Sequence, residues 1–218
     1  MAAEHGVRLL VFPELSLTGY DPAMARVNAL SPDAPALYPL RRLAGTARMT
    51  VVVGAPVLNG KNELHLAALA LCPDGAVLTY AKEHLHSGEE PFFVPGHGGA
   101  TLPVGDATVA LAICADTTHP QHAASAAARG ATVYAAGVLI AENGYARDTA
   151  QLMQYAREHR MAVLMANHSA PNGGWVPAGK SAIWSEDGKL VAASTGTEEA
   201  LVIARRRDAI WDGMVLPA

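Results

Sequence analysis

The stretch Val109-Ala110-Leu111-Ala112-Ile113-Cys114-Ala115-Asp116-Thr117-Thr118-His119-Pro120 passes from five apolar residues through a cysteine to a proline. A short apolar run ending at a polar corner reads as a buried strand, and the proline marks a helix beginning. The same alternation recurs outward in both directions. Strand-like runs are expected at Val7 to Phe12, Thr50 to Ala55, Leu66 to Cys72, Val77 to Tyr80, Ala107 to Cys114, Thr132 to Ala136 and Ala162 to Asn167. Helices are expected from Ala34 to Met49, Pro120 to Arg129 and Arg147 to Arg160, the last with Leu152, Tyr155 and Ala156 on one face. Strands interleaved with helices predict an α/β fold in which helices cover sheets.

Towards the end, Lys180 to Trp184, Leu190 to Ser194 and Ala200 to Ala204 alternate more openly and are separated by Asp187-Gly188 and Gly196, the pattern of hairpins. Two longer Gly- and Pro-rich connections, Gly88 to Gly99 and Ala170 to Gly179, are of the kind that carries function on a rigid scaffold. No repeat, low-complexity tract or charge block interrupts the chain. A single domain over residues 1–218 is the expectation.

Half of the 218 residues are hydrophobic and 17% are charged, enough apolar material for a sizeable core. The formal net charge of −4 supplies no basic field for a nucleic acid or an anionic membrane surface, which points to a small-molecule substrate. No apolar stretch approaches the roughly 20 residues of a membrane span. The first residues lack the pattern of a secretory signal, so a cytoplasmic location is expected. Two cysteines, Cys72 and Cys114, are too few for a disulfide framework and are expected as free thiols. The nine histidines show no metal-ligand spacing with them, so no metal is expected.

Cys114 stands at the corner between strand and helix, where a side chain can project and nearby backbone N–H groups can meet a developing negative charge. A thiol there needs a base or a cationic neighbour to react near neutral pH. By itself it also matches a cysteine filling space at a strand end. His119 and His122 lie close in sequence, which keeps a Cys-His arrangement open as a rival. Two other strand ends carry charge. Leu9-Leu10-Val11-Phe12-Pro13-Glu14 places a carboxylate just beyond a strand, where partial desolvation suits it to moving protons. Val77-Leu78-Thr79-Tyr80-Ala81-Lys82 does the same for an ammonium. Each taken singly is also an ordinary surface charge.

Taken together and in order, Phe12-Pro13-Glu14, the Tyr-x-Lys-x-His-Leu run from Tyr80 to Leu85, and the Ile-Cys-x-Asp run from Ile113 to Asp116 resemble the Glu, Lys and Cys signatures of the nitrilase superfamily of carbon–nitrogen hydrolases. Phe93-Val94-Pro95-Gly96 and Gly179-Lys180-Ser181-Ala182-Ile183 resemble two further segments of that family. The resemblance implies an α-β-β-α sandwich that pairs with a second copy into an αββααββα dimer or larger homo-oligomer, with no cofactor. It implies hydrolysis of a non-peptide carbon–nitrogen bond in a small amide. Glu14 would be the general base, Lys82 would face the oxyanion with the backbone N–H of Ala115, and Cys114 would carry the acyl-thioester. Family members often add a second glutamate after the lysine; Glu89 and Glu90 both qualify, with Glu90 slightly preferred.

The chain departs from the family pattern at two places. Met1-Ala2-Ala3-Glu4-His5-Gly6 resembles the tail of the helix that normally precedes the Pro-Glu strand, which implies either a start assigned too late or a shortened member lacking the first strand and most of the first helix. A sheet shortened in this way would be covered by a partner subunit or by rearrangement. After the cysteine, Thr117-Thr118-His119-Pro120-Gln121 replaces the family's usual arginine- or phenylalanine-rich run, so its familiar substrates do not transfer. Nitrile or N-carbamoyl-amine hydrolysis by the same residues, or a catalytically idle interaction subunit, are the alternatives.

Overall fold

The computed structural model describes residues 1–99 and 101–218. The chain divides into two compact units, Met1–Ala100 and Thr101–Ala218, each an assembly of sheet and helix. The first unit holds a four-stranded sheet in the order β1-β2-β3-β4. Its strands are β1 (Leu9–Val11), β2 (Thr50–Leu58), β3 (Leu64–Leu71) and β4 (Val77–Ala81). β1 runs parallel to β2, and the remaining pairs are antiparallel. β3 is buried at every position and β2 at all but its last. That explains why both are apolar nearly throughout, Thr50 and His65 being the polar exceptions, since a strand covered on both faces has no polar side.

The expected helix between Ala34 and Met49 appears as a short turn, Pro35–Leu37, leading into α1 (Tyr38–Ala47). It stops at Arg48, whose left-handed backbone, φ 50°, turns its N–H back onto the carbonyls of Ala44 and Gly45. Leu37 and Ala44 pack with Val51, Val53, Leu69 and Leu71 in one cluster. Truncating a buried leucine here should cost roughly 2–5 kcal/mol. Before β1, the turn Ala3–His5 closes at Gly6 with φ 65°, the glycine stop expected there.

The second unit holds a six-stranded sheet in the order β10-β9-β8-β7-β6-β5. β5 (Leu102–Val104), β6 (Ala107–Ile113), β7 (Val133–Val138), β8 (Ala162–Asn167), β9 (Ala182–Trp184) and β10 (Leu190–Ala193) compose it. β6, β7 and β8 are mutually parallel, which requires crossovers, supplied by α2 (Pro120–Ala128) and α3 (Glu142–His159). Ala112, Ala123 and Ala136 join Tyr134, Leu152 and Tyr155 in the core, the small residues letting helix and sheet approach.

Three expectations are corrected. α3 begins at Glu142 rather than Arg147. Asn143 and Gly144 disguise its first turn, where low helix propensity is tolerated because those N–H groups lack helical partners anyway. Lys180 lies outside β9, its φ of 54° being incompatible with a strand. The last strand runs on to Arg207 as β11 (Ala200–Arg207) and pairs with β12 (Ile210–Pro217), in a separate two-stranded sheet that the sequence did not reveal. Asp208 and Ala209 both take positive φ in the turn, a tight-hairpin geometry usually signalled by Asn-Gly or Asp-Gly. β5 was likewise not anticipated; it is three residues long and contains Pro103. Among the described residues no helix is long and apolar enough to cross a membrane.

Candidate active site

In the first unit, Glu14 follows β1 by three residues. Phe12 N still bonds Val52 O at 2.9 Å, and then the chain turns sharply, with Leu15 at φ 48°. Gly54 of β2 makes room for that turn, because a Cβ there would run into the backbone of Pro13, Glu14 and Leu15. Ser16 Oγ accepts from Gly54 N at 2.9 Å, and Leu17 N bonds Gly54 O at 3.0 Å. A carboxylate is thereby held on a stretch of backbone fastened to the sheet rather than on a free loop.

Lys82 follows β4 directly. Its N–H donates to Leu66 O at 2.8 Å and its carbonyl accepts from Gly96 N at 2.7 Å. Gly96, the last residue of the Phe-x-Pro-Gly segment, lies against Ala81 so closely that a Cβ would overlap the Ala81 backbone. The side chain is buried, and its Nζ donates to Glu14 Oε1 at 2.7 Å and to Glu89 Oε1 and Oε2 at 2.9 Å each. Such charge-assisted bonds offset part of the cost of burying ions.

Of the two adjacent glutamates it is Glu89, not the slightly preferred Glu90, that meets Lys82. Glu89 is buried on a turn, and its carboxylate also accepts from Tyr20 Oη at 2.9 Å and from His86 N at 2.8 Å. Glu90 is exposed, bonded to Gly88 N at 2.8 Å. Bonds from its own and Gly88's backbone N–H hold its carboxyl below the ordinary range, as expected of a loop cap. The two neighbours cannot both point inward from one turn, and sequence has no means of choosing between adjacent identical side chains. Tyr20, passed over in the sequence, is a member of the cluster. Burial and the Glu89 carboxylate push its hydroxyl far above the usual phenol range, so it remains a donor.

In the second unit, Cys114 directly follows β6 and opens a short turn, Cys114–Thr118. Its backbone is left-handed, φ 41°, a conformation that costs a non-glycine residue roughly 1–2 kcal/mol and turns the chain abruptly off the sheet. The turn is braced locally. Asp116 Oδ2 accepts from Ile113 N at 2.9 Å, Thr117 Oγ1 donates to Cys114 O at 2.7 Å, and Thr118 Oγ1 donates to Ala115 O at 2.8 Å. Cys114 Sγ donates to Leu139 O at 3.6 Å. Ala115 lies in the first turn, where N–H groups have no helical acceptor.

The two histidines of the rival arrangement are engaged elsewhere. His119 Nδ1 lies 2.9 Å from Ala115 O, while His122 Nδ1 lies 2.7 Å from Tyr134 Oη and its Nε2 lies 4.0 Å from Asp116 Oδ2. His122 thus braces the turn from behind. Cys72, at the end of β3, has its thiol pushed up by burial and then by Asp74, which makes it a sluggish nucleophile. Both cysteines are free thiols. Among the described residues no group of three or more His, Cys, Asp or Glu is placed to hold a metal ion.

Comparison with known proteins gives this geometry its context. The carbon-nitrogen hydrolase family model matches residues 1–210. A nitrilase of Pyrococcus abyssi is 27% identical over 208 residues, covering 93% of this chain and 78% of the relative. An (R)-stereoselective amidase of Pseudomonas sp. is 30% identical over 182 residues, covering 79% of this chain and 64% of the relative. The solved amidase from Nesterenkonia sp. AN1 in complex with butyramide superposes with a TM-score of 0.80 at 28% identity, over 90% of this chain and 76% of that one. Another structure of that amidase carries the acetamide moiety of fluoroacetamide added covalently at its active-site cysteine. The fold is that of the nitrilase superfamily, and the chain belongs to the carbon–nitrogen hydrolases.

Proposed function

We propose that this protein hydrolyses a small, non-peptide amide through an acyl-thioester on Cys114. The observation that carries the reading is the buried Lys82 ammonium bonded to Glu14 and Glu89 at once. With all three ionised the cluster bears one surplus negative charge, which equips it to take up a proton. Desolvation makes such charges costly to maintain for packing alone, and a neutral core would be easier to build.

Glu14 takes the thiol proton as Sγ attacks the amide carbon and the carbonyl π pair moves onto oxygen. Lys82 Nζ and Ala115 N–H stabilise that oxyanion. Collapse breaks the C–N bond, and the leaving amine takes the proton from Glu14. Water then attacks the thioester and gives its proton to Glu14; the C–S bond breaks, the acid departs, and the thiol regains its proton. Glu89, held by Tyr20, His86 and Lys82, keeps the ammonium in place. No organic cofactor or metal takes part in these steps. The amide bound by the Nesterenkonia amidase and the name of the Pseudomonas relative support an amide, while the Pyrococcus nitrilase keeps a nitrile as the second reading. The reading includes a cytoplasmic, homo-oligomeric protein that binds neither nucleic acid nor membrane.

The test is intact-protein mass spectrometry after brief exposure to small amides, nitriles and carbamoyl compounds, comparing wild type with Cys114→Ala. A mass increase equal to the acyl group on wild type only is the expected result. No adduct from any compound, with Cys114 as inert to alkylation as Cys72, would favour an idle interaction subunit instead.

A further inference from the structure

Cys114, Leu139 and Asn167 stand at the carboxyl ends of three adjacent parallel strands. Cys114 follows β6, Leu139 follows β7, and Asn167 is the last residue of β8, paired with Val138. Asn167 is buried, and its side-chain amide acts as a substitute strand for the next residue pair. Its Oδ1 accepts from Ile140 N at 2.8 Å and its Nδ2 donates to Ile140 O at 3.0 Å. The second Nδ2 hydrogen goes to Gly179 O at 2.8 Å, tying in the end of the 170–179 loop. Its own backbone N–H is fixed by Ser181 Oγ at 3.0 Å.

We infer that Asn167 is a positioning residue for the nucleophile, acting through the peptide plane that joins Leu139 to Ile140. That plane is rigid, and its C=O and N–H point in opposite directions. Anchoring Ile140 N on Asn167 Oδ1 therefore aims Leu139 O the other way, and that oxygen accepts from Cys114 Sγ at 3.6 Å. A carbonyl can accept from a thiol but repels a thiolate, so the contact favours the protonated resting form and holds Sγ in one rotamer. Neither an isosteric leucine nor an aspartate could serve Ile140 N, Ile140 O and Gly179 O together.

The inference rests on Cys114 as the nucleophile, yet its test needs no substrate. The rate of iodoacetamide alkylation at Cys114 is followed against pH by peptide mass spectrometry, with Cys72 as the internal control, in wild type, Asn167→Ala and Ser181→Ala. Freed from its acceptor, the thiol of Asn167→Ala should ionise roughly half a pH unit lower, about a threefold rise in rate below the midpoint. The milder Ser181→Ala should shift in the same direction by less. It takes over the test if Asn167→Ala melts below the assay temperature. A folded variant whose Cys114 profile coincides with wild type would overturn the inference while leaving the amidase reading intact. Conversely, a shifted profile without any acyl adduct from the amide panel would uphold the positioning role and sink the amidase reading.

Discussion

The two units solve the problem of holding a reactive group in opposite ways. In the first, the Glu14–Lys82–Glu89 cluster is made by side chains meeting across long stretches of chain, 68 residues separating Lys82 from Glu14. In the second, the Cys114 corner is made by the backbone itself, a left-handed residue braced by bonds that span only three residues. Charges must be buried and matched to keep their geometry, whereas a thiol is small and nearly neutral and needs only a turn that presents it. The first arrangement should therefore fail through stability as well as activity, and the second through activity almost alone.

Lys82→Met should break the contrast most severely. Two buried carboxylates would face each other without their cation, at a cost of about 3–5 kcal/mol, read as a lowered denaturation midpoint together with lost turnover. Unchanged stability would mean that the cluster is not charged as drawn. Glu89→Gln comes next, because it weakens the grip on Lys82 Nζ. A fall in kcat of at least tenfold is expected, against less than twofold for Glu90→Gln on the exposed side of the same turn. Tyr20→Phe removes one of three donors from Glu89 and should cost about 1–2 kcal/mol by chemical denaturation, with a smaller loss of rate.

The smallest effect concerns the second thiol. Burial and then Asp74 hold the Cys72 thiol above its ordinary range, so its alkylation should stay slow through neutral pH and climb only under more alkaline conditions. Cys72→Ser should leave turnover unchanged in a steady-state assay. Rapid labelling of Cys72 at pH 7 would remove the distinction between a structural and a reactive cysteine.

Much of this was legible in advance because it rests on local signals. Apolar runs located most of the strands, Pro120 marked the start of α2, and the order Glu14, Lys82, Cys114 carried the family resemblance that the carbon-nitrogen hydrolase match supports. What escaped has a common cause. The β11–β12 hairpin turns on Asp208-Ala209 instead of a glycine pair, and the first turn of α3 is written in poor helix formers. In both places the backbone takes a conformation that the residues' intrinsic preferences do not announce.

By itself the sequence determined the fold class and the residues that carry the family resemblance, since periodicity and strand-end residue types are properties of the chain alone. Only the tertiary structure decided that Glu89 and not Glu90 grips Lys82, that Tyr20 joins them, and that Asn167 stands behind the peptide facing Cys114. Those choices depend on which way a side chain points and what it meets there. Direction and meeting are set by contacts between residues distant in sequence, which no local pattern records.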